Sequence, residues 1–162
     1  MLQKKICLLG AFSVGKTSLI QRFVSSLFDD KYLTTVGVKI DKKIVTVDQQ
    51  EIMLMIWDLA GEDDYNTLNK NHLRGAAGYI LVIDGTRPKS LDVGLAVHDK
   101  VKEALGDVPV VVALNKADLI DEWILDADQL AKLEEKLPVL RTSAKTGDNV
   151  ELLFSELAAR LQ

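Results

Sequence analysis

Apolar positions fall along this chain in two rhythms. Ile6 to Leu9, Gly78 to Ile83 and Pro109 to Leu114 are almost unbroken apolar runs, as strands buried on both faces should be. Val36, Val38 and Ile40 instead alternate with Gly37, Lys39 and Asp41, which predicts a half-exposed strand. The turn Asp48-Gln49-Gln50 leads from it into a second strand, Ile52 to Trp57, so the two form a hairpin. Val139-Leu140 is a last short strand. Between these runs the period changes to that of a helix. Leu19, Ile20, Phe23 and Val24 give a stripe through about Ser26, and a short helix ends at about Leu73. Pro88 and Ser90 start a helix that ends near Gly106, and Leu130, Leu133 and Leu137 mark another. Val150, Leu153, Phe154, Leu157 and Leu161 line the final helix, with Asp148 and Glu151 at capping-box spacing. Phe28 to Thr35 and Asp58 to Tyr65 are polar and irregular, hence loops.

Strands alternating with helices predict an α/β fold. The expectation is a central, mostly parallel six-stranded sheet with helices on both faces and one antiparallel edge strand. At 162 residues it forms a single domain over 1–162. In such sheets ligands bind beyond the carboxyl ends of the strands, so residues just after each apolar run carry the most information.

Composition narrows the classes. With a formal charge of −4 there is no electrostatic reason to expect nucleic acid. Cys7 is the single cysteine, so no disulfide forms within the chain, which suits a reducing, cytoplasmic setting. No apolar run approaches membrane-spanning length. Neither a signal peptide nor a lipidation motif is expected at the ends, and the chain is expected to be soluble.

The chemistry sits at the strand ends. Gly10-Ala11-Phe12-Ser13-Val14-Gly15-Lys16-Thr17, between a strand and a helix, is a phosphate-binding loop. Its backbone N–H groups, Ser13, Val14 and Gly15 among them, curl toward one oxyanion, and the helix N-terminus adds its partial positive end. Lys16 supplies a mobile charge, and Thr17 a hydroxyl where Mg2+ bridging phosphates would lie. By composition alone such a string arises in roughly one chain in two hundred of this length, and the correct flanks make chance rarer still. Asn115-Lys116-Ala117-Asp118 follows another strand. A carboxylate there accepts two hydrogen bonds from guanine N1–H and its 2-amino group, whereas adenine offers an acceptor at N1 and no 2-amino group. Two such bonds at roughly 1.5–3 kcal/mol each are two to four decades of preference. An ATP-using enzyme is thereby set aside. Thr142-Ser143-Ala144-Lys145 can supply an N–H to guanine O6 and a lysine stem along the base, or be a plain loop. Asp58 is placed to serve Mg2+, Gly61 to meet a γ-phosphate, and Thr35 to close the metal shell from the other side. On that reading loops 28–38 and 58–66 are held while the γ-phosphate is present and released on hydrolysis.

These five motifs, in this order and spacing, resemble the Ras superfamily of small GTPases, closest to its Rab-like branch. The resemblance covers nearly the whole chain and implies a G domain that binds GTP in its active state and GDP in its inactive one. It further implies that Phe28 packs on the guanine edge, that the Ser18 N–H meets the α-phosphate, and that protein effectors and regulators bind through the two loops. Lys16 then clamps the β- and γ-phosphates, Thr17, Thr35 and Asp58 organise the metal, and Asn115, Lys116, Asp118, Ser143, Ala144 and Lys145 surround the base.

Three departures stand out. Glu62 occupies the position where the family has a catalytic Gln beside the attacking water. An ionised Glu only accepts hydrogen bonds and adds charge to an anionic transition state, yet is the stronger base. Altered hydrolysis is expected, of open sign. Phe12 replaces a small residue of the loop; it either crowds an incoming arginine finger or covers the phosphate pocket. No prenylated tail is expected after the last helix, as suits either a prokaryotic-type soluble member or a domain from a longer protein. Beyond these three, Lys39, where Rab-like proteins commonly have Asp, argues against their effectors. Glu62 and Phe12 keep a rival alive, a nucleotide-locked G domain with negligible turnover. Trp57, Trp123, His72 and His98 read as packing or surface residues.

Overall fold

The computed structural model describes residues 1–11, 13–24, 38–59 and 70–161. Its strands are β1 (Leu2–Gly10), β2 (Lys39–Val47), β3 (Gln50–Asp58), β4 (Gly78–Asp84), β5 (Val110–Asn115) and β6 (Val139–Arg141). They form one six-stranded sheet in the order β2-β3-β1-β4-β5-β6. β2 runs antiparallel at the edge, and every other neighbouring pair is parallel. The α/β architecture is therefore the expected one.

Apolar periodicity explains the order of the layers. All residues of β4 and β5 are buried, because both lie inside the sheet with both faces covered. β2 and β3 alternate, with one row inward and one toward solvent. Their two-residue turn has Asp48 and Gln49 at φ 49° and 67°, the left-handed conformation whose twist suits a tight hairpin. β1 begins earlier than its apolar run, at Leu2, because its polar start pairs with Ile52 to Met55 of β3.

Four α-helices lie among the described residues: α1 (Lys16–Val24), α2 (Pro88–Leu105), α3 (Ala127–Lys136) and α4 (Val150–Arg160). Both sheet faces are covered, as β4 shows. Leu81 and Ile83 lie against Gly94 of α2, while Gly78, of opposite parity, lies against Leu157 and Leu161 at the end of α4. α1 joins α4, where Phe23 stacks on Phe154 at 4.0 Å between ring centroids. Such a pair contributes about 0.5–1.5 kcal/mol beyond its buried area. Lys43 of β2 donates to the Phe23 carbonyl at 3.0 Å, setting a cation at the negative end of α1. On the opposite face, the Tyr79 hydroxyl pairs with His98 Nδ1 at 2.7 Å, which gives this histidine the structural role expected of it.

Two local expectations are corrected. Asp148 and Glu151 form no capping box. Asn149 takes the N-cap position of α4 in a left-handed conformation with no side-chain cap bond, and the Asp148 carbonyl is already used by the Ser143 N–H. The side-chain cap lies elsewhere, on α3, where Asp126 accepts from the N–H groups of Asp128 and Gln129. Leu137 falls outside α3 in extended backbone, as the residue before Pro138 must. A 3-10 turn at Ala117–Glu122 follows β5 and carried no periodic signal.

Candidate functional site

Parallel register brings the strand ends to one edge of the sheet. Leu8 pairs with Asp58, Gly10 with Val82, Asp84 with Asn115 and Leu114 with Arg141, so the residues after each strand share one rim. Every described residue that the sequence marked lies on that rim or directly beyond it.

The phosphate loop leaves β1 and enters α1 through backbone that most residues avoid. Gly10, Ser13 and Gly15 all have positive φ. At Gly15 the φ is 101° and an added Cβ would lie 2.2 Å from the Asn115 amide nitrogen, so glycine is required twice over. Lys16 is buried at the start of α1, with its Nζ 3.5 Å from the Gly10 carbonyl. The ammonium is thus folded back over the loop rather than extended into solvent. The first helical bond, from the Leu19 N–H to the Gly15 carbonyl, fixes the helix start beneath it. Exposed Thr17 and Ser18 follow in the first turn.

Asp58 ends β3, and its Oδ2 accepts from the Thr17 hydroxyl at 2.5 Å. Two hard oxygens so close together suit a small hard cation such as Mg2+, which takes few protein ligands and shares phosphate oxygens. The described residues contain no cluster of three His, Cys, Asp or Glu, and a site of this kind needs none. Phe12, Phe28, Thr35, Gly61 and Glu62 lie outside the described residues.

On the other side of Asn115 the rim is built from side chains. Asn115 is buried; its Nδ2 donates to the Val14 carbonyl at 2.9 Å, joining the second motif to the phosphate loop. Its Oδ1 accepts from the Thr142 hydroxyl at 3.2 Å. Buried Ser143 donates to Asp118 Oδ1 at 2.7 Å, holding the exposed carboxylate. The Ala117 N–H reaches the Thr142 carbonyl, so the loops after β5 and β6 are tied by backbone as well. Beyond Ser143 the chain closes on itself through Gly147 N–H to the Ser143 carbonyl and Thr146 N–H to the Ser143 hydroxyl. Arg22 of α1 bonds the Thr146 carbonyl from below. Ala144 and Lys145 sit in this turn, half-buried and exposed respectively.

Three contributors were missed in the sequence. Asp84, fully buried, pairs through Oδ2 with Lys116 Nζ at 2.8 Å. Burial alone would raise its carboxyl, but hydrogen bonds from Lys116 and Thr86 outweigh it and hold the group below its ordinary value. Its signal was available: it is the polar residue ending an all-apolar strand. Trp123 packs, as expected, but its Nε1 also donates to the Lys116 carbonyl at 2.9 Å. Arg22 gave no signal, since an exposed arginine late in a helix is ordinary.

Comparison with known proteins matches residues 5–162 to the model of the Ras family. The chain is 35% identical over 162 residues to Ras-related protein Rab-1 of Theileria annulata, spanning 98% of this chain and 74% of that protein. It is 35% identical over 157 residues to Rab-1D of Dictyostelium discoideum, spanning 95% and 77%. With human Rab-37 the identity is 37% over 163 residues, spanning 98% and 73%.

Proposed function

Because the chain belongs to the Ras family and is a small GTPase, we propose that it is a switch that binds GTP with Mg2+, hydrolyses it, and signals through loops 28–38 and 58–66. The observation that carries this reading is the position of Asp118. Ser143 holds one of its carboxylate oxygens, and Asn115 ties its strand end to the phosphate loop. A base bound at Asp118 therefore belongs to the same molecule as phosphates bound at Lys16.

In this reading a single G domain spans 1–162. Gly10 to Gly15 and the Ser18 N–H surround the phosphates, and Lys16 offsets the charge of the β- and γ-groups. Asn115, Lys116, Asp118, Ser143, Ala144 and Lys145 surround guanine, with Phe28 against its edge. Thr17, Thr35 and Asp58 would hold Mg2+, whose chemistry when bound is neutralisation of phosphate charge. Gly61 and Glu62 face the attacking water, and effectors and regulators meet the two loops in the cytoplasm. No described helix is long and apolar enough to cross a membrane.

Glu62 favours a second reading, a nucleotide-locked G domain, because a carboxylate beside the γ-phosphate adds negative charge where more is developing. Single-turnover hydrolysis of radiolabelled GTP by the protein and by Glu62→Gln separates the two. A rate that differs between them is the expected result. Equal rates would remove Glu62 from the water, and GTP intact after hours in the unmodified protein would establish the locked module.

A further inference from the structure

We propose that Asp84 and Trp123 are positioning residues for nucleotide retention that act through Lys116, an inference that rests on the guanine-nucleotide reading above. Lys116 is in the left-handed conformation, φ 69° and ψ 39°, which a long side chain adopts only when its surroundings impose it. Both of its polar ends are pinned by residues outside the nucleotide motifs. The ammonium meets Asp84 Oδ2 at 2.8 Å, and the carbonyl accepts from Trp123 Nε1 at 2.9 Å.

The pinning is built from both sides. Asp84 Oδ1 is occupied by the Thr86 N–H and hydroxyl, at 2.8 and 2.7 Å. Oδ2 has no hydrogen-bond partner among the described residues apart from the Lys116 ion pair. The fully buried carboxylate thus has one oxygen for its own turn and one for Lys116. Trp123 is held equally firmly. Its ring lies over Gly85, where an added Cβ would be 2.0 Å from a ring carbon, and the Arg141 guanidinium lies 5.7 Å from the ring centroid. Gly85 also donates its N–H to the Asn115 carbonyl, so the floor beneath the ring is tied to the same strand end.

The consequence is a base-side loop whose working shape is held by contacts within the protein. Lys116 lies between Asn115 and Asp118, so a residue rotated out of its left-handed conformation swings Asp118 away from Ser143 and from the base. Retention of nucleotide then depends on two side chains that touch none of it.

The test is release of N-methylanthraniloyl-GDP from the purified protein, chased with excess GDP. Asp84→Asn should release it about tenfold faster, and Trp123→Phe, which keeps a ring over Gly85 but loses the donor, about threefold faster. A double-mutant cycle gives the readout that a merely structural role would not move. In a Lys116→Ala background, Asp84→Asn should speed release by less than about twofold. Full additivity there would overturn the proposal, as would unchanged release from both single variants. Should Asp84→Asn fail to fold, Trp123→Phe carries the test alone. If the unmodified protein does not retain the labelled GDP at all, the guanine-nucleotide reading itself has failed.

Discussion

The phosphate side and the base side of this site are made from different materials. From Gly10 to Lys16 the shape is a backbone shape, set by three of the described residues at positive φ and one buried lysine folded over them. Beyond Asn115 it is a side-chain shape: Thr142 on Asn115, Ser143 on Asp118, Asp84 and Trp123 on Lys116. A group with three non-bridging oxygens can be met by any concave array of N–H donors, so a local loop suffices. A flat base with a fixed donor pattern requires acceptors at set angles, and those need support from several strands. Asn115 belongs to both, since its amide reaches the Val14 carbonyl.

That double membership gives the strongest way to break the distinction. Gly15→Ala drives a Cβ to 2.2 Å from the Asn115 amide and strains a φ of 101°. Strain of about 1–3 kcal/mol adds to a lost buried hydrogen bond and a displaced Lys16, so GDP affinity should fall by about four decades. Isothermal titration would measure it; a fall below tenfold would mean that the two sides are not joined at Asn115.

Next in size is Asp118→Ala, which strikes the base side alone. GDP affinity should drop by about two to four decades. Binding of inorganic triphosphate, read by competition with labelled nucleotide, should stay within about threefold. Equal loss for both ligands would contradict the division.

The smallest effect is acid sensitivity confined to the base side. The folded carboxyl of Asp84 lies below its ordinary value of 3.8. Its contribution is therefore complete above that value and is lost as pH falls through the lowered folded value. Thermal midpoints of the GDP-bound protein and its Asp84→Asn variant should differ by about 5 °C near pH 5 and begin to converge only below pH 3.8. A gap that widens on acidification would reverse the assigned sign.

The same contrast explains what could be read from the chain. The phosphate loop, the sheet and its antiparallel edge were legible because each rests on neighbours in sequence: glycine spacing, apolar period and a short polar turn at 48–50. Asn115 and Asp118 were legible as a motif at a strand end. Asp84 showed only as the polar end of an apolar strand and Trp123 only as a packing residue, because their importance comes from meeting Lys116 across elements, and nothing within a few residues of either announces that contact. The capping box failed for a related reason. Asp148 and Glu151 have the spacing, but closure of the 143–148 turn uses the Asp148 backbone and starts α4 from a left-handed Asn149.

The central claim is that one guanine nucleotide spans both sides of this site. The direct measurement is to denature the freshly purified protein and identify what it releases. The account predicts GDP or GTP at close to one molecule per chain, retained in Mg2+ and lost in a chelator. Release of adenine nucleotide, or no binding of added GDP, would contradict it.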